Sequence, residues 1–173
     1  MEIVKNYVFT HIRNKIINSP AYIGAETYLR KRKKWKYSAD LLEHSLKEHP
    51  QDLLFKKSSR LSKKIKKTKV VKKQMKKFRK TKKLADCPKD ITFKKGDLFG
   101  AIHNARLYFN RFKKGKINCI LTDIYDFKRE SYDSIVMFAN NYEWLSQAVG
   151  ASHSYKIRVE MEYKDRKIKA KFV

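Results

Sequence analysis

Acid is missing where this sequence carries most of its charge. Positions 56–83 hold 16 Lys or Arg and no Asp or Glu. Across all 173 residues, 43 Lys+Arg stand against 17 Asp+Glu, a formal charge of +26. Outside that segment, 27 basic and 17 acidic residues leave only +10. The charge is thus mainly a property of one segment. Cysteine is also scarce: Cys87 and Cys119 form no CxxC pair, which excludes a disulfide framework. No run of about 18 apolar residues occurs, so no transmembrane helix is expected. The opening "MEIVKNYVFTHIRNKIINS" lacks the apolar core of a secretory signal. Export would therefore need another system, or a longer chain of which this is a part. No Gly-rich phosphate loop, HExxH or nucleophile elbow is present.

Apolar residues are plentiful: 42% of the chain is hydrophobic and 13% aromatic. That excludes wholesale disorder and allows one domain with a real core, or a domain plus a helical extension. Val4, Val8, Ile12 and Ile16 share one face of a short helix over 3–17, which Pro20 and Gly24 should end. "SADLLEHSLKEHP" predicts a second helix, with Ser38 as N-cap, Leu42 and Leu46 one turn apart, and Pro50 closing it. Leu61, Ile65, Thr68, Val71, Met75 and Phe78 recur at helical spacing and predict one continuous helix over 58–79. Its apolar stripe should face a core or a partner, with lysines around the rest. "KTKKLADCPKD" is the best hinge, dividing a basic helical region, 1–86, from a second domain, 87–173.

After Pro88 the period changes from helical to alternating. "ARLYFNRFKKGKINCILTDIYDF" predicts a β-hairpin turning at Lys114-Gly115. Leu107 and Phe109 share a face of one strand; Ile117, Cys119 and Leu121 share a face of the next. "VMFANNYEWLSQAVG" predicts a helix capped by Gly150. "SYKIRVEMEY", with Ile157, Val159 and Met161 alternating, and "KIKAKFV" predict two more strands, turning at Asp165-Arg166. The expected class is α+β: a basic helical N-terminal half, then a small antiparallel sheet with a packed helix.

A field as basic as that of 56–83 attracts polyanions: nucleic acid, an anionic membrane surface or an acidic protein. Candidate contacts are Arg60, Lys63, Lys64, Lys66, Lys67, Lys72, Lys73, Lys76 and Lys77. The same composition also suits a merely solvated helix face. His44 and His103, with Arg60, are a candidate acid/base and phosphate-binding set of the kind a metal-independent nuclease needs. Each histidine also fits an ordinary element boundary.

"LTDIYDF", residues 121–127, is the other candidate. Alternation puts Asp123 and Tyr125 on the apolar face of Leu121, and Asp126 on the other. A carboxylate on such a face needs a hydrogen bond, a cation or a metal. Asp123 and Asp126 at a strand end are candidate Mg²⁺ ligands. The alternative is an Asx-type turn, with Asp126 meeting backbone donors and the rings packing.

Asp123-Ile124-Tyr125-Asp126-Phe127 resembles the Asp-x-Tyr-Asp motif of colicin M-like bacteriocins and the D-x-YDF strand of C-terminal domains of bacterial polymorphic toxins. The preceding hairpin and "NNYEWLSQAVGASHSYKIRVEMEY" resemble the same order of elements, over 97–163. The resemblance implies a toxin or effector domain with Mg²⁺-dependent phosphodiesterase (hydrolase) activity, on a lipid-linked cell-wall precursor or on nucleic acid. Asp123 would be the essential acid, with Tyr125 and Asp126 in support. An immunity protein would be its partner. The family's His-Arg pair after the motif is replaced here by Tyr132-Asp133, and His153 is the candidate to stand in for it. Two other expectations stand beside this one: a non-enzymatic nucleic-acid-binding protein using the basic helix, and an inactive structural relative of the toxin domain.

Overall fold

The computed structural model describes residues 10–11, 14–15, 18–81, 85–112, 115–126, 146–148 and 150–165. The chain is α+β, with helices and one five-stranded mixed sheet. It divides into two compact units, each drawn from separated stretches. One comprises Met1–Gln51 and Ile124–Tyr155, the other Asp52–Asp123 and Lys156–Val173.

In the first unit, helix α1 runs Pro20–Thr27, a π-helical turn follows over Tyr28–Arg32, and helix α2 runs Lys36–Ser45. The chain leaves the helical conformation at Asn18 and Ser19, just before Pro20, which itself opens α1. At the first helical position its missing N–H would have had no partner, and its fixed φ suits the helix. Ser38 departs from expectation. It is buried inside α2, and Trp35 occupies the N-cap. Leu42 and Leu46 are buried, as the spacing predicts, and so is Leu41. The Tyr155 hydroxyl donates to the Leu41 carbonyl at 2.8 Å. Gly150 has φ of 72°, the left-handed conformation expected of a C-cap, and its N–H reaches the Gln147 carbonyl at 3.1 Å. Most of the first predicted helix and of the helix preceding Gly150 lie outside the described residues, as do Tyr132, Asp133 and the strand predicted over 167–173.

The second unit holds nearly all of the sheet, in the order β1-β5-β4-β3-β2. Strand β1 is Leu53–Phe55, β2 Lys89–Thr92, β3 Asn104–Phe112, β4 Lys116–Tyr125 and β5 Tyr155–Lys164. The predicted hairpin is β3–β4, in a register that sets Leu107 opposite Leu121 and Phe109 opposite Cys119. All four are fully buried, as are Ile117, Ile157 and Val159. This is the alternating face read from sequence. Beyond the predicted hairpin, β2 pairs antiparallel with β3, and β1 pairs parallel with β5.

The basic segment folds as two helices: α3, Arg60–Lys66, and α4, Lys69–Lys80. The expected unbroken helix over 58–79 is therefore interrupted. Thr68 takes an extended ψ of 148° and caps α4, while its hydroxyl bonds back to the Ile65 carbonyl at 2.7 Å. A threonine hydroxyl competes with the helical ladder in this way. The apolar stripe survives the break. Leu61, Ile65, Val71, Met75 and Phe78 are all buried. Phe78 stacks on Phe109 with centroids 5.2 Å apart. Ser62, buried in α3, donates its hydroxyl to the Glu160 carbonyl of β5 at 2.6 Å. These contacts seat both helices on the apolar side of the sheet.

Candidate functional site

The α3–α4 break decides where the lysines go. On a straight helix they would spread along a rod. Here Lys63 and Lys66 of α3, Lys67 of the linker, and Lys72, Lys76 and Arg79 of α4 line one cleft of about 690 Å³. Among the described residues, no acid lines it. Among the described residues, Lys63, Lys67, Lys72 and Lys76 are exposed and in no ion pair, unlike Lys64, which pairs with the buried Asp97 of a short helix, α5 (Asp97–Ala101), at 2.8 Å. Gathering like charges without counter-charges is unfavourable, and it leaves a concentrated positive potential.

Met75 and Tyr163 complete the lining. Tyr163 lies on β5 two residues beyond Met161, and Lys66 Nζ sits 4.6 Å from its ring centroid. Lys66 also donates to the Glu162 carbonyl, and Arg79 Nη2 to the Lys164 carbonyl at 2.8 Å, so both side chains are held against β5. Burial pushes the Tyr163 phenol well above its ordinary pKa, with Cys119 adding to the rise and Arg79 opposing it. The hydroxyl therefore stays protonated as a donor. Among the described residues, neither the Tyr163 hydroxyl nor Arg79 Nε has a hydrogen-bond partner, though both atoms are buried.

Five of the sequence-predicted cations line this cleft: Lys63, Lys66, Lys67, Lys72 and Lys76. Arg60, Lys64, Lys73 and Lys77 do not line it. Sequence reasoning missed Arg79 and Tyr163. Arg79 lies within the basic run, directly after the stripe residue Phe78, and that position was the available signal. Tyr163 carried none, because the residues around it, from Lys63 to Arg79, stand 84 to 100 positions away in sequence.

The strand-end candidates lie on β4 and just past it. Asp123 is half-buried, Tyr125 is buried, and Asp126 is exposed beyond the last strand residue. Tyr125 stacks on Tyr155 with centroids 5.0 Å apart and planes at 26°. Three residues of extended chain separate Cα atoms by about 10 Å, and alternation turns their side chains to opposite faces. Asp126, however, lies past the last residue of β4, so the strand's alternation does not fix the direction of its side chain. Among the described residues, no three His, Cys, Asp or Glu side chains gather as a metal centre would need.

The histidines have structural surroundings. His44 Nε2 lies 2.9 Å from the Gln51 carbonyl, and its ring meets Tyr155 edge-on at 4.6 Å. His103 packs edge-on against Phe99 at 4.7 Å, and its carbonyl accepts from Phe93 N–H at 2.8 Å. His44 belongs to the first unit, whereas His103 and Arg60 belong to the second. The backbone N–H of His153 donates to the Ser45 carbonyl at 2.8 Å. Burial lowers the His153 pKa, His49 lowers it further, and Glu48 opposes them. No helix among the described residues is long and apolar enough to cross a membrane. Comparison with family models, curated proteins and solved structures found no match.

Proposed function

We propose that this protein binds nucleic acid through its phosphate backbone, at the basic cleft and the lysine face around it. The observation that carries this reading is the convergence of six cations on one acid-free cleft. Each lysine that neutralises a phosphate releases counterions, so affinity for duplex DNA should fall steeply with salt, with a log–log slope of about 0.9 per contacted phosphate. Replacing Lys63, Lys67, Lys72 and Lys76 together by Gln should flatten that slope by up to about 3.6. Fluorescence anisotropy with labelled DNA and RNA across a salt series measures it. A slope near zero in the unmodified protein would rule the reading out and leave the lysines as solubilising charge.

The placement of Asp123 favours a second reading: a bacterial toxin or effector domain acting on a phosphodiester. Asp123 is half-buried in β4, between the buried Leu121 and Tyr125, at the first position of the motif that the sequence shares with such domains. On this reading, producing the protein in the target compartment slows growth, and Asp123→Asn relieves it without unfolding. Toxicity that survives Asp123→Asn in a folded variant would remove Asp123 from any chemistry. Harmless expression in both cytoplasm and periplasm would leave the motif as an inherited strand end.

A further inference from the structure

The nucleic-acid reading does not account for two buried donors on residues that line the cleft. Arg79 Nε and the Tyr163 hydroxyl are both buried, both lack acceptors among the described residues, and both belong to residues that line the cleft. An unmet buried donor costs about 1–3 kcal/mol. Native proteins carry few of them, and two in one cleft call for an explanation. Among the described residues, the surroundings offer none. Every charged side chain lining the cleft is a cation, and Cys119, the other group acting on Tyr163, is only a weak acceptor. What the site lacks is an acceptor with negative charge. A phosphate oxygen supplies both and leaves its other oxygens to the lysines. Arginine is well suited to such a contact because its planar donors match phosphate oxygens. At about 690 Å³ the cleft is in the size range of small-molecule sites, large enough for more than one phosphate group.

We infer that the cleft is a phosphate-binding subsite, in which Arg79 and Tyr163 hold a phosphate oxygen and Lys63, Lys66, Lys72 and Lys76 surround the remaining charge. This inference rests on the polyanion reading and deepens it. The phosphate can come from a free oligophosphate, from a phosphorylated strand end or from an internal phosphodiester, and the test separates these sources.

The decisive variant is Tyr163→Phe, which removes only the hydroxyl. That oxygen has no partner to lose in the free protein, so the thermal midpoint should stay unchanged or rise. Titration calorimetry with inorganic pyrophosphate should show binding to the unmodified protein, weakened about tenfold by Tyr163→Phe, the scale of one hydrogen bond to a charged group. Lys95→Gln changes a lysine that does not line the cleft and should leave pyrophosphate binding as it was. A 5′-phosphorylated oligonucleotide is then compared with its 5′-hydroxyl counterpart. Tighter binding of the phosphorylated strand, lost in Tyr163→Phe, assigns the subsite to a strand end. Equal binding, equally weakened, assigns it to an internal phosphodiester. A response confined to pyrophosphate assigns it to a free oligophosphate. If Tyr163→Phe weakens none of the three, or lowers the thermal midpoint, the subsite is overturned. In that case DNA binding with a steep salt slope would still leave the lysine-face reading standing. If neither pyrophosphate nor nucleic acid binds, both fall together.

Discussion

Single residues in this protein differ most in how their charge is accommodated. Arg111 and Asp165 form an ion pair that is almost wholly buried, and Arg111 also donates to the Thr81 carbonyl at 3.1 Å. Lys63 and Lys67, by contrast, are exposed and in no ion pair among the described residues. His153 is a third case. Burial and His49 hold its pKa below the ordinary 6.5, so the fold favours the neutral ring. Between the folded and unfolded values the unfolded chain binds more protons, and stability falls as pH falls. The contribution is complete above about pH 6.5 and is lost as pH drops through the lower folded value. The thermal midpoint should accordingly decline below about pH 6.5 in the unmodified protein. In His153→Asn that part of the decline should disappear. Parallel pH profiles of the two proteins would assign the decline to other groups.

Elements α3 and α4 are short, basic and free of acid, so repulsion among their lysines opposes helix formation. Local support is limited. Ser59 caps α3 by accepting the Ser62 N–H at 3.1 Å, whereas Thr68 makes no side-chain cap for α4. What holds the pair is burial of the stripe, at about 1.5–3 kcal/mol for each large apolar side chain. Leu61→Asp or Met75→Asp puts an unpaired charge into that core and should destabilise by about 4 kcal/mol, the upper range for single substitutions. Lys77→Gln, on the exposed side, should change stability by less than about 0.5 kcal/mol. Urea unfolding curves measure both. Equal tolerance at stripe and lysine positions would show that the helices do not depend on the sheet.

At the scale of the whole molecule, a formal charge of +26 repels itself in the compact state more than in the expanded one. Added salt shortens the reach of that repulsion, to about 10 Å at 0.1 M. The thermal midpoint should therefore rise from low salt to about 0.3 M KCl, opposite to the behaviour of a fold held by surface ion pairs. Differential scanning fluorimetry reads the sign directly. A midpoint that falls with salt would mean that pairs such as Lys57–Glu162 and Lys64–Asp97 outweigh the repulsion.

The sequence by itself determined the class of the fold, the β3–β4 hairpin, the buried face of β5 and the apolar stripe of the basic segment. Each of these rests on periodicity, and the side chains that set the period are the ones that end up buried. It did not determine the break at Thr68, because a stripe spaced by threes and fours is the same whether or not one residue turns its ψ to 148°. Nor did it determine that Ser38 is interior to α2 while Pro20 opens α1, since both residue types serve at either place. Strand β1 was too short to show alternation, and its parallel pairing with β5 joins residues about 100 positions apart. The candidate cleft was half legible for the same reason. Its lysines stand in one run of sequence, but Tyr163 reaches it only because β5 lies beneath α3 and α4. Composition placed the positive charge in one segment; the tertiary structure folded that segment around a pair of buried donors.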